Sequence, residues 1–123
     1  MIGGHVTRAY EAVVTITVIG PGGRSKDVMA TVDTGFTGEL TLPEAVVEEL
    51  GLAFYEESHA YLANDTRVEI SLYDALIVWD GVEREVVVDC MNGNPLVGMH
   101  LLYEHLLTVQ VVRDGQVTIQ ALG

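Results

Sequence analysis

Val28-Met29-Ala30-Thr31-Val32-Asp33-Thr34-Gly35-Phe36-Thr37-Gly38 is an apolar, strand-like run that ends in a carboxylate, a hydroxyl and two glycines. Apolar and β-branched residues favour a buried strand. The glycines permit a tight turn that another backbone can approach closely. Such a turn presents Asp33 outward from the end of the strand. Asp, Thr and Gly are also ordinary turn residues, so a carboxylate that merely caps a turn is the plain alternative. The rest of the chain decides between the two.

Upstream, Glu11 to Ile19 sets Thr15 and Thr17 against Val14, Ile16 and Val18, the period-2 pattern of a strand. Gly20-Pro21-Gly22-Gly23 is a turn, and Ser25 to Val32 returns as the partner strand that delivers Asp33. Downstream, Leu40-Thr41-Leu42 forms a short strand, and Pro43 to Gly51 reads as a helix that buries Val46, Val47 and Leu50. Proline near its start, Glu44 in its first turn and Gly51 at its end fit that assignment. Phe54 to Ala63 and Arg67 to Trp79 flank the polar pair Asn64-Asp65, which predicts a hairpin with its tip there. Asp80-Gly81 is a turn before the strand Glu85 to Cys90. Asn92 to Pro95 then breaks the chain ahead of Leu96-Val97-Gly98 and a short helix. Leu106 to Val112 and Val117 to Leu122 are strands around Asp114-Gly115. With no repeat and no linker, residues 1–123 are expected to form a single domain.

Composition narrows the function. Six Lys and Arg against eighteen Asp and Glu give a net charge of −12, which repels nucleic acid and anionic membranes. No apolar run approaches the ~20 residues that span a bilayer. Hydrophobic residues make up 49% of the chain, enough for a packed core. One cysteine, Cys90, excludes an internal disulfide framework and fits a reducing cytoplasm. The Met1 to His5 start lacks the blocks of a secretory signal. Cys90 lies among valines with no histidine placed to activate it, so it reads as core. His100 and His105 are five apart and do not share a helix face, while His5 and His59 are isolated. These read as surface or helix-end histidines, and neither a metal nor a cofactor is expected.

The strand, the Asp33-Thr34-Gly35 turn, the hairpin and the Leu96-Val97-Gly98 segment occur in the order and at the spacing of one known family. On those residues the chain resembles the retroviral-type, single-lobe aspartic proteases, as a bacterial-like homodimeric member. The resemblance implies a mainly β fold: a closed, largely antiparallel, barrel-like retropepsin half with one or two short helices. It implies that Leu96, Val97 and Gly98 pack beneath the Asp33 turn as its structural support. It places the hairpin around Ala63, Asn64 and Asp65 as a flap over the substrate, although its tip is not glycine-rich as family tips are. Met99 stands where retroviral enzymes commonly carry a basic residue.

Hydrolysis of an amide by carboxylates needs two of them sharing one proton, because close like charges resist double ionisation. Only one Asp-Thr-Gly is present, so an isologous homodimer is expected to supply the second Asp33. By resemblance Asp33 is the acid and base, Thr34 braces the two turns across the axis, and Gly35 and Phe36 meet the polypeptide substrate. The expected activity is an aspartic-type endopeptidase, cytoplasmic and without cofactor. The alternative is an inactive, protease-like dimerisation or peptide-binding module, for which the glycine-poor tip, Phe36 and Met99 speak.

Overall fold

The computed structural model describes residues 1–123. It contains ten strands: β1 (Ile2–Val6), β2 (Ala12–Ile19), β3 (Ser25–Val32), β4 (Leu40–Leu42), β5 (Ala53–Tyr61), β6 (Arg67–Trp79), β7 (Val82–Cys90), β8 (Leu96–Val97), β9 (His105–Val109) and β10 (Gln116–Ala121). Two short helices, α1 (Glu44–Leu50) and α2 (Met99–Leu102), complete it. The strands follow the order β5-β6-β7-β4-β8-β3-β2-β1-β10-β9, and an added β2–β6 pairing closes the middle of this series into a ring. Most pairings are antiparallel, as expected. Two are parallel, β3 with β8 and β4 with β7, and both lie beside the Asp33 turn.

The core fills the ring. Val14, Ile16 and Val18 of β2 point inward while Thr15 points out, so the threonine–valine alternation corresponds to a real face. Leu40, Leu42, Ile77, Val88, Val97 and Leu101 are fully enclosed with them. Helix α1 seals one side with Val47 and Leu50 and stops at Gly51, which takes the left-handed conformation (φ 61°) that ends many helices.

Strand β6 changes its allegiance along its length. Ala75, Ile77 and Trp79 face the core, but Ile70 is buried outside the core cluster, on the opposite phase of the strand. The C-terminal half of β6 therefore belongs to the ring, and the N-terminal half, paired with β5, projects as a hairpin with the other face inward. That switch lets a single strand both build the core and line a groove outside it.

One strand lay outside the sequence reading. Ile-Gly-Gly-His-Val has weak strand propensity, yet β1 is clamped on both edges, by β2 and by β10. A side chain at Gly4 would sit 1.9 Å from the Val13 carbonyl oxygen, so the glycine that weakens the local signal is what allows the close pairing. His105 starts β9 instead of ending a helix. Its Nε2 accepts a hydrogen bond from the buried indole of Trp79 at 3.1 Å, and its Nδ1 bonds to the Tyr103 carbonyl at 2.8 Å.

Candidate active site

Strand β3 ends at Val32, and its ladder with β8 continues past it. The Thr31 N–H donates to the Pro95 carbonyl and the Asp33 N–H to the Val97 carbonyl, both at 2.9 Å. On its other side β8 pairs antiparallel with β4, Leu40 opposite Val97 and Thr41 opposite Leu96. The hydroxyl of buried Thr41 accepts the Leu96 N–H at 2.9 Å. Strands β3 and β4 thus flank β8, and the Asp33–Glu39 loop that joins them must cross beyond its end.

That crossing is tied down by backbone. Gly98 N–H donates to Glu39 O (2.9 Å), Met99 N–H to Phe36 O (2.8 Å) and His100 N–H to Gly38 O (3.2 Å). A Cβ on Gly98 would lie 2.2 Å from the Gly38 oxygen and 2.5 Å from the Phe36 ring. Only glycine fits this crossing.

Within the loop, Asp33 Oδ1 accepts the Gly35 N–H at 2.9 Å, and the Phe36 N–H donates to the Asp33 carbonyl at 3.2 Å. This local turn fixes one carboxylate oxygen. Asp33 is half-buried, while Thr34 and Gly35 are exposed beside it. The loop therefore offers a carboxylate, a hydroxyl and a bare backbone on one accessible surface.

A groove of about 360 Å³ runs between this loop and the β5–β6 hairpin. Gly35, Phe36, Thr37 and Gly38 form one wall, Ser58 to Tyr61 with Ile70 and Leu72 form the other, and Asp89 and Met91 lie at its end. Cavities of about 410 and 440 Å³ lie elsewhere, and neither is lined by the Asp33 loop. We centre the candidate site on the smaller groove because it adjoins the carboxylate turn.

The structure brings together Asp33, Thr34 and Gly35 with Leu96, Val97 and Gly98, and sets Gly35 and Phe36 in the groove wall. It does not bring Ala63, Asn64 and Asp65 there. They form an exposed turn, closed by Leu62 N–H to Thr66 O and Thr66 N–H to the Asn64 side chain, outside the groove lining. Asp65 takes a positive φ of 64°, a left-handed conformation that Asn and Asp tolerate in turns.

Sequence reading missed His59, Tyr61, Asp89 and Met91 as groove residues. Asp89 carries the clearest electrostatic signature. Burial is the main cause that pushes its carboxyl above the usual carboxylate range, and the neighbouring Glu39 carboxylate adds to it. Glu39 is itself engaged, accepting the Val87 N–H at 3.0 Å and facing the Arg84 guanidinium at 3.5 Å. Burial likewise raises the Cys90 thiol, with Glu44 and Glu48 contributing, so the residue that sequence placed in the core is a poor nucleophile.

A ring of strands with two parallel pairings, a crossing loop over β8 and a hairpin across a groove make up a retropepsin-type fold. The structure is similar to the crystal structure of a retropepsin-like aspartic protease from Rickettsia conorii, with a TM-score of 0.61 and 15% sequence identity, over 98% of this chain and 89% of that one. At this identity the likeness establishes the fold. No protein-family model and no curated protein matches the chain.

Proposed function

We propose that the chain is one half of a homodimeric aspartic endopeptidase, in which two copies of Asp33 meet at a two-fold axis. The observation that carries this reading is the Asp33 loop itself: a carboxylate turn strapped over Gly98 and opening beside a peptide-sized groove. Two carboxylates brought that close hold one proton between them. The ionised one takes a proton from a water molecule as that water attacks the scissile carbonyl. The protonated one donates a hydrogen bond to the carbonyl oxygen and so stabilises the developing charge. Collapse of the tetrahedral intermediate passes a proton to the leaving nitrogen, and the pair is ready again.

The other residues have supporting roles. Thr34 bonds across the axis. Gly35, with no side chain, lets the substrate backbone lie against the loop, and Phe36 gives the groove an apolar floor. The outer edge of β5 is unpaired and supplies backbone groups for an extended peptide. Ala63, Asn64 and Asp65 at the hairpin tip reach the peptide when the hairpin closes. Both edges of β1 are already occupied, and β9, at the other end of the strand order, offers a free edge for contact with a second copy. No helix is long and apolar enough to cross a membrane. The lone thiol supports a cytoplasmic setting, and the chemistry needs neither cofactor nor nucleic acid.

The test is Asp33→Asn, assayed on denatured polypeptides from pH 4 to 7 alongside a thermal melt. Cleavage falls by about 10³-fold or more, with the fold retained and wild-type cleavage blocked by pepstatin. A variant that cuts as well as the wild type refutes the assignment. Peptides bound but never hydrolysed by the wild type would make the chain a binding module.

A further inference from the structure

Asp89 belongs to none of the roles assigned above, yet it lies in the same groove. The register explains how it gets there. Asp89 stands opposite Leu72 on β6, so the two share one face of the sheet. Leu72 and Asp89 both line the groove. Glu39, the carboxylate that acts on it, holds Arg84 and accepts the Val87 N–H. Asp89 has no ion pair and accepts no side-chain or backbone hydrogen bond from outside the sheet ladder.

The surroundings of that carboxylate match one kind of guest. Leu72, Met91 and Phe36 line the same groove and offer apolar surface for a long aliphatic stem. An aliphatic stem with a cationic head suits this lining, burying its methylenes and seating its charge against the carboxylate. The volume, about 360 Å³, has room for such a side chain beside the peptide backbone. Arg84 is engaged by Glu39, and His59, the basic side chain in the groove lining, packs edge-on against Tyr61. A net charge of −12 further favours cationic over anionic polypeptides near this surface.

We propose that Asp89 is a specificity-determining residue that receives a lysine or arginine side chain of the polypeptide substrate in the groove between the Asp33 loop and the hairpin. The inference rests on the peptide-groove reading of the previous section. Burial and the neighbouring Glu39 carboxylate raise the Asp89 carboxyl, and a cation seated against it opposes both effects.

The test separates binding from cutting. On an Asp33→Asn background, fluorescent decapeptides are titrated by anisotropy, with lysine, norleucine or glutamate walked through an otherwise fixed neutral sequence. At one position lysine binds about tenfold tighter than norleucine, the scale of a charge-assisted contact, and glutamate binds weakest. Adding Asp89→Asn removes the lysine advantage, and Asp89→Lys inverts it in favour of glutamate, while norleucine peptides still bind. A lysine preference that survives Asp89→Asn places the cation elsewhere and overturns the proposal. Peptides that bind with no lysine preference at any position overturn it while leaving the groove reading intact. If no peptide binds at all, the groove reading fails and the subsite falls with it.

Discussion

The close crossing at Gly98 can be tested by adding one methyl group. Gly98 has φ −102° and ψ 176°, a backbone that any residue adopts, so Gly98→Ala introduces no conformational strain. The whole effect comes from contact. The new Cβ would stand 2.2 Å from the Gly38 oxygen. A carbon against a carbonyl oxygen needs about 3.3 Å, so the crossing loop must retreat by roughly 1 Å. Three backbone hydrogen bonds tie the loop to Gly98, Met99 and His100, at 2.9, 2.8 and 3.2 Å. A retreat of that size breaks two of them at about 1 kcal/mol each. Residual overpacking against the Phe36 ring adds about 2 kcal/mol. The expected destabilisation is therefore about 4 kcal/mol, a large fraction of the roughly 5–15 kcal/mol of an ordinary domain. At about 3–5 °C per kcal/mol for a chain of this length, the midpoint drops by about 12–20 °C in a melt followed by circular dichroism. Gly3→Ala is the control, because a Cβ there has nothing within 4 Å. Its midpoint should stay within about 2 °C of the wild type. A Gly98→Ala midpoint within 3 °C of the wild type (roughly 1 kcal/mol), or equal shifts in both variants, would refute the argument from close approach.

Three further outcomes follow from the charges. Because Asp89 has a raised pKa in the folded chain, the folded state binds its proton more tightly than the unfolded state, and stability falls as pH rises from the ordinary value of 3.8 through the raised one. Asp89→Asn should therefore be more stable than the wild type at pH 7 in urea titrations, with the gap closing towards pH 3.8; a less stable variant at neutral pH would contradict the assigned cause. Cys90, raised by burial, Glu44 and Glu48, should react with a thiol reagent at pH 7.5 several-fold more slowly than it does in the urea-unfolded chain, and equal rates would show that its surroundings do not protect it. Each copy carries −12, so dimerisation measured by sedimentation should strengthen between about 0.05 and 0.5 M salt, and a salt-independent dimer would place the charge away from the interface.

The sequence and the structure agree best where the signal is local. Asp33-Thr34-Gly35 follows an apolar strand, and Leu96-Val97-Gly98 precedes a short helix. Each segment carries its own conformational requirement in its residues, and the two meet through backbone hydrogen bonds that depend little on side chains. Helix α1 was legible for the same reason, from Pro43, Glu44 and Gly51. Strand β1 was not, because its glycines serve tertiary contact: Gly4 makes room for Val13, and pairing on both edges replaces the missing propensity. His105 was hidden likewise, since its partner Trp79 lies 26 residues away.

The groove wall was hidden for a deeper reason. Alternation along a strand tells which residues share a face, but not what that face meets. In β6 the inward phase changes between Ile70 and Ala75, because the strand leaves the hairpin and enters the ring. Read as one continuous pattern, residues 67–79 give a blurred alternation and no groove. Read as two phases, they set Ile70 and Leu72 on one surface, and the Leu72–Asp89 register then draws Asp89 onto it. A carboxylate near the end of a valine-rich strand looks from sequence like an edge residue turned to solvent. Its place in the groove follows from the change of phase in its neighbour. The Asp33 turn can therefore be read from a motif, whereas the residues that line the groove beside it depend on strand register.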